Sequence, residues 1–121
     1  MDYLKVEFPG GLRVDAIVKG HTICTDQPTT SGGEDSAPSP FDLFLSSIAT
    51  CAGIYALGFC NSKSISTEGM SISMDIERDM NSGLVSKVLL DLKVPEDFPK
   101  KYEKAIIKSM NLCTVKKHFQ Y

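Results

Sequence analysis

Residues 39–61 have the sequence SPFDLFLSSIATCAGIYALGFCN, which is the longest apolar run in the chain. Its start carries helix signals: Ser39 is a favourable N-cap, Pro40 suits the first helical position, and Asp42 completes a capping box. Further along, one set of side chains recurs every three or four positions, which is the helical period. These are Phe44, Ile48, Cys51 and Tyr55. The stretch therefore predicts one long apolar helix.

This predicted helix is apolar over most of its circumference. Further apolar residues widen the stripe: Phe41, Leu45, Ala52 and Phe59. A chain of 121 residues buries roughly two thirds of its unfolded surface, and covering one helix on all sides would use most of that. We therefore expect a homodimer, in which the helices pack against each other or beneath the strands of the partner.

A membrane span is the competing interpretation, because the apolar part of the helix approaches the minimum spanning length. Small and hydroxylated residues interrupt it, however, and no basic flank precedes it. The interrupting residues are Ser46, Ser47, Thr50, Gly53 and Gly58. We expect no membrane association.

The segments on both sides of the helix alternate apolar and polar residues, which indicates strands. Strands are expected at 1–8, 12–19 and 21–26, with a turn at Pro9, Gly10 and Gly11 and a loop over 27–38. After the helix, we expect a hairpin of strands 70–77 and 88–94, a second helix ending at Cys113, and a possible last strand at 114–121. This order predicts a single α+β domain over residues 1–121, with antiparallel sheet and two helices.

The composition limits the possible partners and compartment. A net charge of −2 and an isoelectric point near 5.6 argue against nucleic-acid binding, which needs a basic surface. The first residues, MDYLKVEFPGG, lack the basic and apolar regions of a signal peptide. We therefore expect a cytoplasmic protein, whose cysteines rest as thiols.

Four cysteines are the candidates for chemistry. Cys51 and Cys60 are nine residues apart, which puts them on opposite faces of the helix and about 13 Å apart along its axis, so they cannot pair. Cys51 and Cys113 lie on the inward stripes of their helices, where either inert packing or redox chemistry is possible. Cys24 and Cys60 are expected to be structural. The four positions contain no C-x-x-C pair, so we expect no metal site.

Local sequence around Cys51 and Cys113 favours the redox interpretation. The run GGEDSAPSPFDLFLSSIATC, followed later by NLCTV, resembles the OsmC/Ohr family, and within it the small OsmC-type proteins of the YhfA-like branch. The matching features are Gly32-Gly33 before Asp35, the helix start at Pro38-Ser39-Pro40, Asp42-Leu43, Cys51, and Cys113 with Val115. The resemblance covers nearly the whole chain and implies an intertwined homodimer with paired central helices.

The resemblance also implies an activity and its residues. Characterised members of this family are thiol-dependent peroxidases that prefer organic hydroperoxides and in some cases draw electrons from dithiols of the dihydrolipoamide type, without a bound cofactor. By this resemblance, Cys51 attacks the peroxide and Cys113 resolves the product as a disulfide. An N-terminal arginine, positioned by an acidic residue early in the helix, would activate the thiolate. Arg13 and Asp42 are the candidates here, although Asp42 also fits a capping role and Arg13 a solvated strand position.

Two other functions use the same residues. The protein could be a binding module that holds a small apolar or sulfur-containing ligand without turnover, or a transferase or sensor in which Cys51 is modified reversibly. Cys51 is expected to have apolar surroundings, which suit an apolar substrate and an apolar ligand equally. These neighbours are Ile48, Ile54 and Tyr55.

Overall fold

The computed structural model describes residues 3–112. Two compact units divide the chain, residues 1–46 and 47–121, with the boundary inside the long helix. In order, the strands and helices are β1 (Leu4–Gly10), β2 (Arg13–Val18), β3 (His21–Thr25), α1 (Pro40–Ser62), β4 (Ser71–Arg78), β5 (Val85–Lys93) and α2 (Glu103–Met110). Short 3-10 helices at Thr29–Ser31 and Lys100–Tyr102 complete the described elements.

The first unit contains a three-stranded antiparallel sheet in the order β1-β2-β3. Val6 pairs with Ala16 and Ala16 pairs with Ile23, so apolar side chains of all three strands share one face. The strand prediction for this segment is confirmed. Phe8 on β1 is 79% exposed, and Leu4 and Val6 are also exposed.

The first turn lies later than the sequence predicted. β1 continues through Pro9 to Gly10, and its register with β2 shifts between Glu7 and Gly10. Proline has no N–H for the ladder and is therefore found at bulges and strand edges. Gly10 has a φ of 145°, which glycine adopts readily. Pro9 and Gly10 thus form an irregular strand end, and the predicted turn at Pro9 was wrong by about two residues.

The long helix begins where its capping signals predict. The backbone N–H of Asp42 donates to Ser39 Oγ at 3.2 Å, and the N–H of Leu43 donates to the Ser39 carbonyl at 3.1 Å. Asp42 lies in the first turn, where a negative charge also interacts favourably with the helix dipole. The predicted helix and its N-terminus are confirmed.

Within residues 3–112, the buried positions of α1 lie on one stripe, and cover of its other sides by a second chain stays a prediction. The buried residues are Ile48, Ala52, Ala56 and Cys60. Only 22% of its most apolar window is buried, and in the described part of the chain it is the one helix long and apolar enough to cross a membrane. A single chain of this size does not supply enough surface to cover the remaining sides.

The second unit packs the buried stripe of α1 with a hairpin and α2. β4 and β5 pair antiparallel, with Ile72 opposite Leu92 and Met74 opposite Leu90. The buried core consists of Ala52, Ala56, Cys60, Phe98, Ile106 and Met110. The side of α2 that carries Lys104 and Lys108 is exposed. β5 begins at Val85 rather than 88, because Arg78 pairs with Val85 and extends the ladder towards the turn.

The predicted α+β class, the antiparallel sheets, the long helix and the second helix are confirmed. The second helix ends at Met110 and not near Cys113, so its predicted end was wrong by three residues. The strand predicted at 114–121 lies outside the described residues.

Candidate functional site

Cys51 is the twelfth residue of α1 and lies next to its buried stripe. Its side chain is half-buried, while Ala52, which follows it, is fully buried. Ile48 is buried one turn earlier, Tyr55 is half-buried one turn later, and Ile54 is exposed. Cys51 therefore lies on an apolar helix surface at the border between the core and the uncovered side.

Asp42 lies two and a half helical turns before Cys51 in α1. This spacing puts the two side chains on opposite faces of the helix. The backbone N–H of Asp42 donates a hydrogen bond to Ser39 Oγ at the helix start. Asp42 thus occupies the capping position that the sequence offered as its alternative role, and its role in activating Cys51 stays a prediction.

Arg13 is the first residue of β2, in the first unit. Its Nη2 lies 3.5 Å from Asp15 Oδ2, two residues along the same strand and therefore on the same face of the sheet. The Asp15 side chain is mostly buried, and its Oδ1 has no hydrogen-bond partner among the described residues. Arg13 is thus paired with a carboxylate in its own strand.

Sequence analysis did not identify Asp26 as a candidate residue. Asp26 is only 1% exposed, although it follows β3 at the start of a polar loop. Its carboxylate accepts hydrogen bonds from the backbone N–H groups of Gln27 at 2.7 Å and Ser36 at 3.0 Å, and from the Ser36 hydroxyl. These donors lower the pKa of Asp26 to about 2, and the Ser36 hydroxyl has the largest effect. The carboxylate therefore fixes the loop that leads to α1.

The two motif positions of that loop, 32 and 33, require glycine for different structural reasons. Gly32 has a φ of 92°, a left-handed backbone that glycine adopts without strain. Gly33 has no such backbone requirement; a Cβ there would lie 2.0 Å from the carbonyl oxygen of Gln27. Close approach of two backbone segments therefore requires glycine at 33. Both glycines line a pocket of about 520 Å³ together with Arg13 and Asp26.

The other cysteines differ from Cys51 in their surroundings. Cys24 is exposed on β3. Cys60 has no exposed surface, its Sγ lies 3.7 Å from Met70 Sδ, and burial raises the pKa of its thiol. This agrees with a structural role for Cys60, since a buried thiol in apolar surroundings is unreactive. Cys113 lies outside the described residues, so its pairing with Cys51 stays a prediction.

Within residues 3–112, no group of three histidine, cysteine or acidic side chains is arranged to hold a metal ion.

Solved structures of similar fold come from several bacteria. An osmotic stress induced and detoxification response protein from Psychrobacter arcticus matches with a TM-score of 0.81 and 25% identity, over 99% of this chain and 89% of that chain. An OsmC like protein from Mycoplasma pneumoniae matches with a TM-score of 0.75 and 16% identity, over 99% and 88%. The organic hydroperoxide resistance protein OsmC from Legionella pneumophila matches with a TM-score of 0.60 and 17% identity, over 97% and 87%.

Among curated proteins, none matches this chain at a significant level. The family model for OsmC-like protein matches residues 33–121, which include Gly33, the whole of α1, Cys51 and Cys113. This match covers well over half of the chain and agrees with the fold of the solved structures. The chain therefore belongs to the OsmC-like protein family.

Proposed function

We propose that this protein is a thiol-dependent peroxidase that reduces organic hydroperoxides, with Cys51 as the attacking cysteine and Cys113 as the resolving one. The observation that carries the proposal is the half-buried position of Cys51 on an apolar helix in an OsmC-like chain. A cysteine at such a border can meet an apolar peroxide that is partly withdrawn from water. The hydroperoxide resistance protein of Legionella pneumophila, which has the same fold, supports the choice of substrate.

The proposed reaction begins with the Cys51 thiolate. It attacks the terminal oxygen of ROOH, so that an S–O bond forms, the O–O bond breaks, and the alkoxide leaves and takes up a proton as ROH. Cys51 is oxidised to a sulfenic acid. The Cys113 thiol then displaces the hydroxyl, forming a disulfide and water, and an external dithiol reduces that disulfide by exchange. The cycle needs a reducing compartment, which agrees with the proposed cytoplasmic location.

The thiolate of Cys51 needs a source of stabilisation. The helix dipole acts mainly within the first turn, whereas Cys51 is the twelfth residue of α1. We assign this role to Arg13. Its pair with Asp15 is 3.5 Å long and its side chain is 40% exposed. Because the Asp15 carboxylate is mostly buried, losing its partner would be costly, so we propose that Arg13 stabilises the thiolate while it keeps this pair.

The second proposed feature is a homodimer. Apolar side chains are exposed on both units: Leu4, Val6 and Phe8 in β1, and Ile54 in α1. Exposed apolar side chains of this size on a protein with a net charge of only −2 favour cover by a partner surface. A second copy of this chain supplies matching apolar side chains, and we propose that it covers them and encloses Cys51.

Turnover with cumene hydroperoxide and dihydrolipoamide tests this function. We expect the wild-type protein to turn over, Cys51→Ser to be inactive, and Cys113→Ser to reduce one equivalent of peroxide and stop as a sulfenic acid. Cys24→Ser is the matched control, because it removes an exposed cysteine outside the motif. It should retain wild-type turnover.

Two results would contradict the proposal. Absence of turnover by a folded wild-type dimer, with Cys51 alkylating no faster than a model thiol, would favour the ligand-binding module. Rapid alkylation of Cys51 without turnover would favour the transferase or sensor.

A further inference from the structure

A pocket of about 410 Å³ lies in the second unit, between α1 and the hairpin of β4 and β5. From α1 it is lined by Ala49, Gly53 and Leu57, and from the hairpin side by Met70, Ile72 and Leu92. Its size falls within the range of roughly 300–1,000 Å³ that is typical of small-molecule sites.

The chemistry of the lining is neutral. Among residues 3–112, no charged side chain contributes to it, and its polar side chains are the hydroxyls of Thr50, Thr67 and Ser71. The other pockets described for this chain differ: one is lined by Arg13 and Glu34, another by Asp91, and another by Glu68 and Asp97. Burying an ion here would leave it without a charged partner, which is costly. A neutral molecule fits the lining.

The pocket is separate from the proposed peroxide site. Gly53 follows Cys51 by two residues, a rotation of roughly 200° around the helix axis. Gly53 therefore faces the hairpin, whereas Cys51 faces the other way. Any molecule bound at Gly53 is held on the opposite side of α1 from the reactive sulfur.

The absence of a side chain at Gly53 keeps the pocket open. A Cβ at Gly53 would lie 3.7 Å from Ile72 Cδ1, an ordinary van der Waals contact. A longer side chain would extend into the space between the helix and the hairpin. Glycine inside a helix costs up to about 1 kcal/mol relative to alanine, so this open space carries a cost in stability.

We infer that this pocket is a second ligand site, which binds a small, neutral, largely apolar molecule with one or two hydrogen-bonding groups. The apolar lining residues bury the apolar part of the ligand. The hydroxyls of Thr50, Thr67 and Ser71 orient the ligand through hydrogen bonds. The site does not depend on Cys51 or on the peroxidase cycle.

The first test uses the wild-type full chain, labelled with methyl-¹³C methionine, and the neutral apolar probe N-phenyl-1-naphthylamine. Met70 lines this pocket, Met110 lines the separate pocket near α2, and Met80 is 99% exposed. We expect the Met70 signal to move saturably with the probe, while the Met80 signal stays in place. A shift of Met110 without Met70, or no shift at all because a second copy fills the pocket, would overturn the inference.

The second test compares two glycines of the same helix. Gly53→Leu fills the pocket and should weaken probe binding by about tenfold or more. Gly58→Leu makes the same change at an exposed position, where a Cβ meets nothing within 4 Å, and should stay within about twofold of wild type. Cys51→Ser should bind the probe as wild type does, which separates this site from the proposed peroxidase. Equal affinity of the two glycine variants would contradict the assignment.

Discussion

The carboxylate of Asp26 accepts a hydrogen bond from the backbone N–H of Ser36 at 3.0 Å and another from the Ser36 hydroxyl. These bonds join the end of β3 to a residue ten positions later, shortly before α1 begins. The backbone N–H of Asp26 closes the same loop by donating to the carbonyl of Pro38 at 3.2 Å. The loop that carries the motif glycines is thus fixed from both of its ends.

Asp26 should make the free energy of unfolding depend on pH in the acidic range. Its pKa is about 2 in the folded protein, below the usual aspartate value of 3.8, so the folded state favours the ionised form. This stabilisation is present above about pH 4 and is lost as the pH falls towards 2. Asp26→Asn should be less stable than wild type at pH 7 and should lose less stability between pH 4 and 2, as measured by urea unfolding. Ser36→Ala, which removes one donor, should move the acid loss to higher pH. Parallel pH profiles for wild type and Asp26→Asn would exclude this role.

Removal of the helix cap should destabilise α1. Ser39 Oγ accepts the N–H of Asp42, one of the donors that a helix leaves unpaired at its N-terminus. Ser39→Ala should lower the free energy of unfolding by about 1 kcal/mol. Ser73→Ala, at an exposed position of β4, should change it by less than about 0.5 kcal/mol. Urea unfolding at one fixed protein concentration measures both, and equal values would show that the cap contributes nothing.

The sequence predicted most reliably those features that depend on neighbouring residues. The start of α1 follows from Ser39, Pro40 and Asp42, and its course follows from apolar residues one turn apart. The extension of β5 to Val85 depends on its pairing with Arg78, and no local pattern reveals it. β1 continued past Pro9 for a similar reason, because the pairing of Gly10 with Arg13 resumes the ladder after the register shift.

The candidate site was predicted less completely than the fold. Cys51 was identified from its motif, and its half-buried position agrees with its place beside the apolar stripe. Asp26 was missed because its main hydrogen-bond partner, Ser36, is ten residues away in the sequence. Only the folded loop brings Ser36 to the carboxylate. The pairing of Arg13 with Asp15 had a local signal, since residues two apart on a strand share a face.

Ile106 should be one of the most sensitive positions of the core. Its side chain has no exposed surface, whereas Ile107, the next residue of α2, is 52% exposed. Ile106→Ala should cost about 2–5 kcal/mol, because it removes buried methyl groups and leaves a cavity. Ile107→Ala should cost less than about 1 kcal/mol in the same urea experiment. Similar losses for the two variants would mean that an additional surface covers Ile107, as a partner subunit would.

Cys60 and Cys24 should differ in their reaction with N-ethylmaleimide. Cys24 is exposed, while Cys60 is fully buried and its thiol pKa is raised by burial. Native Cys60 should therefore react at least about a hundredfold more slowly than Cys24, because it must wait for an opening of the core. Mass spectrometry of peptides after timed labelling measures the two rates, and labelling in urea should make them similar. Fast labelling of native Cys60 would show that the contact between α1 and Met70 opens readily.

Arg13 can be tested through the pH dependence of Cys51 reactivity. If its guanidinium stabilises the thiolate, Arg13→Gln raises the pKa of Cys51, and the rate with cumene hydroperoxide at pH 7 falls about tenfold for each unit of that change. The pH–rate profile should then shift to higher pH. Arg78→Gln is the matched control, because Arg78 is the other arginine of the chain and its Nη1 donates to the Gly83 carbonyl at 2.9 Å in an exposed turn. Asp15→Asn removes the competing carboxylate and should leave the rate unchanged or raise it. An unchanged profile for Arg13→Gln would restrict Arg13 to its pair with Asp15, and another cation would have to activate Cys51.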